Sequence, residues 1–137
     1  MPTWKDIEFI KKNTNLPVIL KGITSVDYAK KAVSLGIDAI IVSNHGGRTI
    51  DTLPASIEIL PKIANEIKGK IPILFDGGIK RGTDVIKAIS LGASAVMIGR
   101  PIMYGLATAG ALGVAHTLKI LKEELEVSMI FTGCKDI

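Results

Sequence analysis

At 137 residues, 47% of them apolar, the chain is long enough for one domain with a real core but short of the roughly 250 residues of a complete α/β barrel. The net charge of +4 is modest, and lysines such as Lys11, Lys12, Lys30, Lys31, Lys62 and Lys68 are scattered among acidic residues in predicted helices, so nothing indicates nucleic acid. A single cysteine, Cys134, excludes an intrachain disulfide, and no metal-ligand spacing, targeting leader or membrane-length apolar run is read, so the expectation is a soluble protein of a reducing compartment, cytoplasmic or peroxisomal.

A helix leads the chain, and the segment "LPVILKGITSVDYAKKAVSLGIDAIIV" (16–42) follows as a first βαβ unit. Its helix is marked by Ser25 near the start, by Val26, Ala29 and Val33 at helical spacing, and by Gly36 as a left-handed cap. The second strand, with Ile37, Ile40, Ile41 and Val42, reads as buried on both faces, as in parallel sheets. It ends in "IIVSNHGGRTID" (40–51), where Ser43, Asn44, His45 and Arg48 are presented at the carboxyl end, and Gly46 and Gly47 permit a sharp turn. The stretch "PASIEILPKIANEIKG" then gives an amphipathic helix with Ile57, Leu60, Ile63, Ala64 and Ile67 on one side.

The segment "IPILFDGGIKRGTDVIKAISLGASAVMI" (71–98) repeats the first unit: strand, glycine turn, a helix with Thr83 near its start, "SLG" with Gly92 as the cap, and strand. Regular alternation of this kind means a parallel sheet, either doubly wound or barrel-like. No G-x-G-x-x-G follows a first strand, which disfavours a dinucleotide fold, whereas "DGGIKRG" (76–82) and "GRP" (99–101) suit the phosphate site that barrels build from their last two βα loops. Exposed backbone N–H groups there would meet phosphate oxygens, with Lys80, Arg81 and Arg100 as countercharge. These short strings equally allow Arg100 to cap a loop, with Lys80 and Arg81 facing water.

Together, "LPVILKG", "IIVSNHGGRTID", "DGGIKRGTDVIKAISLGASAVMIGRP" and the tail "LKEELEVSMIFTGC" resemble the FMN-dependent 2-hydroxy acid oxidase and dehydrogenase family, the group that contains glycolate and lactate oxidases. The similarity runs from Thr3 to Cys134. It implies a (β/α)8 TIM barrel of which residues 1–137 are the carboxyl-terminal half, strands five to eight plus the closing helix, with FMN as cofactor and a small 2-hydroxy acid as substrate. Lys21 matches the lysine placed near flavin N1 and the C2 oxygen, where positive charge stabilises the anionic reduced flavin, although an ion pair would account for a lone lysine. Ser43 matches a flavin-contacting hydroxyl, His45 the base that accepts the substrate proton, and Arg48 the arginine whose planar fork holds the substrate carboxylate. Asp76, Gly77, Gly78, Lys80, Gly99 and Arg100 match the loops that hold the FMN phosphate and ribityl chain.

The sequence departs from that pattern in places. Lys80 stands where the family usually has arginine, and Thr49 where glutamine is common. The substrate tyrosines, the carboxylate that orients the histidine, a second carboxylate-binding arginine and the flavin contacts of strands one to four have no counterpart. A half barrel leaves open edges at 17–21 and 95–98 with apolar inner faces. The expectation is therefore a truncated product of a longer oxidase, with homo-oligomerisation or a separate chain supplying the missing half as the other solutions. A non-catalytic half-barrel that keeps a phosphate or FMN site is the competing functional reading.

Overall fold

The computed structural model describes residues 3–137; Met1, on which the reading of a truncated start turns, lies outside them. The elements follow as α1 (Trp4–Lys12), β1 (Ile19–Ile23), α2 (Val26–Ser34), β2 (Ala39–Val42), a 3-10 turn (His45–Gly47), α3 (Ser56–Ile67), β3 (Ile73–Asp76), α4 (Gly82–Ser90), β4 (Ala95–Met97) and α5 (Arg100–Thr132). The sheet order is β1-β2-β3-β4, and every neighbouring pair is parallel. Parallel neighbours need crossover connections, and α2, α3 and α4 supply them in turn. Because the order never reverses, the switch-point crevice of a doubly wound sheet is absent from it.

The pleat divides the strand residues into two rows with different surroundings. Ile40, Val42, Ile73 and Phe75 join Ala29 and Ala32 of α2, Ile59, Leu60, Ile63 and Ile67 of α3, and Val85 and Ala88 of α4 in one buried cluster. At about 1.5–3 kcal/mol for each large aliphatic side chain taken from water, this cluster is the main source of stability. The other row is aligned across the sheet as Lys21, Ile41, Leu74 and Ala95, with Ile19 and Met97 flanking it. Ile41 and Ala39 are buried yet lie outside the cluster, while Ile19 is 47% and Met97 37% exposed. That face is apolar and only partly covered.

The helix ends show where local signals suffice and where they do not. Ser25 caps α2, its hydroxyl accepting from the Asp27 N–H at 3.2 Å. Gly36 and Gly92 follow α2 and α4 with positive φ, as the two "SLG" strings predict. Thr83, in contrast, lies inside the first turn of α4, whose flanking residue is Arg81. There Asp84 accepts from the Lys80 and Arg81 N–H groups at 3.0 Å each, and Glu124, far along α5, accepts from the Gly82 N–H at 2.9 Å. The tail from Leu121 is helical as far as Thr132, as expected of a closing helix; before it, at Ala109 and Gly110, the backbone leaves helical geometry, and Gly105 and Gly113 then pack against each other. A Cβ on Gly113 would sit 2.0 Å from the Gly105 carbonyl oxygen, a contact that a continuous helix could not make across eight residues. α5 is therefore two arms folded on each other.

Candidate functional site

The carboxyl ends of the four strands open on one cavity of about 560 Å³. Its walls carry four cationic side chains, Lys21, Arg48, Lys80 and Arg100, together with His45 and one carboxylate, Asp76. Apolar cover comes from Ile79, Met97, Pro101 and Met103. Such a surplus of positive charge in a concave site favours a polyanionic guest.

Lys21 lines the cavity from the end of β1, in regular register with Ile41, and the strand becomes irregular just after it. The pairing register shifts between Lys21 and Ile23, so Gly22 is an extra residue in a β-bulge, with φ +93°. Lys21 Nζ donates to Ser43 Oγ at 2.9 Å and makes a close ion pair with Asp76 Oδ2. One ammonium thus joins the ends of β1, β2 and β3. Gly22 has a second consequence, since a Cβ there would lie 2.6 Å from His45 Cε1. The imidazole occupies space that only a glycine at this position leaves free.

His45 itself is held in the left-handed region, φ +56°, which few residues other than glycine adopt. Three successive N–H groups in this turn are accepted by side-chain oxygens: Asn44 N–H by Ser56 Oγ at 3.0 Å, His45 N–H by Ser43 Oγ at 3.1 Å, and Gly46 N–H by Asn44 Oδ1 at 3.1 Å. Arg100 lies against the same turn, its Nη2 3.2 Å from where a Cβ on Gly46 would stand.

Of the residues singled out from sequence, Lys21, His45, Arg48, Asp76, Gly77, Gly78, Lys80, Gly99 and Arg100 all line the cavity. Ser43 is fully buried behind the wall and meets the site through Lys21. Arg81 points elsewhere, donating to Glu124 Oε1 at 2.9 Å. Asn44, marked in the sequence among the polar groups at this strand end, accepts from the Gly46 N–H, whereas Gly22 and Ser56 shape the site without having been marked by the sequence.

Fold and cavity together define a class: a parallel α/β protein with a cation-lined cavity at the carboxyl ends of its strands. The FMN-dependent dehydrogenase family model matches residues 1–137, and the chain belongs to that family. It is 52% identical over 135 residues to a peroxisomal (S)-2-hydroxyacid oxidase of Arabidopsis thaliana, covering 98% of this chain and 37% of the relative. An L-lactate oxidase of Nostoc sp. is 49% identical over 135 residues, with the same coverage. Among solved structures, a mandelate oxidase variant with (S)-mandelic acid superposes with a TM-score of 0.95 at 47% identity, covering 97% of this chain and 40% of that one. A mandelate oxidase variant with a monooxide FMN adduct gives 0.94 at 47% identity, over 97% of this chain and 42% of that one. The chain thus spans a little over a third of the length of these curated relatives.

Proposed function

We propose that residues 1–137 are the carboxyl-terminal half of a (β/α)8 barrel of an FMN-dependent oxidoreductase that oxidises (S)-2-hydroxy acids of the glycolate and lactate type to 2-oxo acids. The observation that carries this reading is the convergence of His45 with Arg48, Lys21 and the Lys80–Arg100 pair on one cavity at the ends of parallel strands. An unreversed order of four parallel strands with helices between them supports this reading, since half of an eight-stranded barrel would present it. The relatives and structural neighbours, which include 2-hydroxyacid, lactate and mandelate oxidases, support the substrate class.

The residues present fit FMN. At Gly78 and Gly99, both on the cavity wall, a methyl group would meet nothing within 4 Å, so there is free space beside exposed backbone between Lys80 and Arg100. That cradle suits a phosphate dianion, while Lys21 and Asp76 offer a donor and an acceptor to the rest of the cofactor. When bound, the flavin accepts the hydride equivalent that leaves the substrate α-carbon. Arg48 fixes the substrate carboxylate through two parallel charged hydrogen bonds and so orients the α-carbon. His45, as a neutral imidazole, takes the proton of the hydroxyl and holds it as a cation until solvent removes it.

A second reading keeps the phosphate site without turnover, as a half-barrel that binds or assembles with another chain. It is favoured by the strand edges, since β1 pairs only with β2, and β4 only with β3. The Arabidopsis relative is named peroxisomal, and no helix among the described residues is long and apolar enough to cross a membrane, which supports a soluble cytoplasmic or peroxisomal protein. Equilibrium dialysis of the chain with FMN and with riboflavin tests the cradle. FMN is expected to bind measurably and riboflavin far more weakly; equal binding would remove the phosphate from the account.

A further inference from the structure

The turn that carries His45 is tied to its surroundings by Lys21 of β1, which donates to Ser43 Oγ, by Asn44 Nδ2, which donates to the Pro54 carbonyl at 3.3 Å, and by one backbone N–H bonded to α3. Of the three side-chain oxygens that accept its successive N–H groups, those of Ser43 and Asn44 belong to the turn itself. The third, Ser56 Oγ, comes from the first residue of α3, twelve residues further on, and Ser56 is 3% exposed. Its hydroxyl also lies under the end of β3, where a Cβ on Gly77 would come within 3.0 Å of Ser56 Oγ and 3.6 Å of Asn44 Oδ1. Local bonds alone can close a turn in more than one way, because Asn and Ser side chains serve several turn geometries. A bond to a packed helix selects one of them.

We propose that Ser56 is a positioning residue for His45: its hydroxyl takes the Asn44 N–H, anchors the turn to α3, and so keeps the histidine left-handed with its ring over Gly22. The inference rests on the reading of His45 as the base, whose usefulness depends on where its ring stands. Without the hydroxyl, a partly buried N–H loses its acceptor, and the turn relaxes to recover one from solvent. The imidazole then leaves the place that Gly22 makes for it. The phosphate cradle at Gly78, Lys80, Gly99 and Arg100 makes no contact with Ser56 Oγ among these bonds and stays as it is.

Nuclear magnetic resonance on the isotopically labelled 137-residue chain tests this with Ser56→Ala and with the isosteric pair Ser56→Thr and Ser56→Val. In Ser56→Ala, Asn44 amide exchange is expected to speed up by about tenfold, as for the loss of one local hydrogen bond. The Overhauser contact between His45 Hε1 and the Gly22 α-protons should vanish, while Ile40 and Val42 amides in β2 keep their protection. FMN affinity, being set elsewhere, should change by no more than about twofold. Ser56→Thr should keep the contact and Ser56→Val lose it, and this pair decides the matter if Ser56→Ala fails to fold. Retention of the His45–Gly22 contact in Ser56→Ala, or identical behaviour of the Thr and Val variants, would overturn the proposal. A wild-type chain that does not bind FMN would instead defeat the functional reading and leave the His45 geometry to be judged by the same spectra.

Discussion

His45 can act on a substrate only if its ring has room and direction, and both come from residues with no chemistry of their own. Gly22 leaves the room: replacing it with alanine would put a methyl carbon 2.6 Å from His45 Cε1, at a backbone φ of +93° that side chains resist. Gly22→Ala is expected to cost about 1–3 kcal/mol of stability by urea denaturation. Its larger effect should fall on turnover in a completed barrel, with FMN still bound. For Arg48→Lys, substrate affinity and the rate of flavin reduction should both fall, because an ammonium cannot fix the carboxylate plane, whereas a pure loss of charge attraction would raise KM alone. The sequence made the charged members of the site legible through the family motifs that carry them, because taken singly a histidine, a lysine or an arginine there equally allows a structural use. It did not disclose Gly22 or Ser56, whose roles arise from contacts with His45 and Asn44 across the sheet and from α3. A β-bulge leaves no composition signal beyond a glycine.

Carboxylates join several elements of the fold, which makes their attachment sensitive to acid. Glu124 on α5 lies below the usual glutamate value of 4.5, first because the Gly82 N–H at the start of α4 donates to it and then because Arg81 does. Asp38 is likewise lowered, by the Lys11 ammonium of α1 and then by the Val18 N–H before β1. A carboxylate whose folded value is depressed adds stability that is complete above the unfolded value and disappears as pH falls through the folded one. The thermal midpoint of the chain should therefore drop below about pH 4.5, and that of Glu124→Gln should start lower at neutral pH and fall less steeply. Gly82 lets α4 start close against α5, since a Cβ there would lie 2.1 Å from the Leu125 nitrogen. Gly82→Ala should cost about 1–3 kcal/mol by overpacking, measured by urea denaturation. The two βαβ units were legible from their periodicity and their "SLG" ends. The fold-back of α5 was not, because it depends on Gly105 and Gly113 meeting in space.

At the scale of the whole molecule, the two outer strand edges have no pairing partner among the described residues, and one sheet face is only partly covered. Ile19 and Met97 at the open edges remain substantially exposed, and an uncovered parallel edge is a template for pairing. Sedimentation over a dilution series is expected to show dimers or larger species at micromolar concentration; a compact monomer throughout would mean that the sheet face is protected by other means. By itself the 137-residue chain should not reduce flavin with glycolate or lactate, since it spans only 37% of the length of its Arabidopsis relative. Stopped-flow bleaching of oxidised FMN by 2-hydroxy acids, in a barrel completed with the amino-terminal portion of that relative, tests the central claim most directly. The account predicts rapid bleaching that His45→Ala slows by roughly 10²–10⁴-fold with FMN still bound. A completed barrel in which His45→Ala bleaches as fast as the unaltered sequence would contradict it.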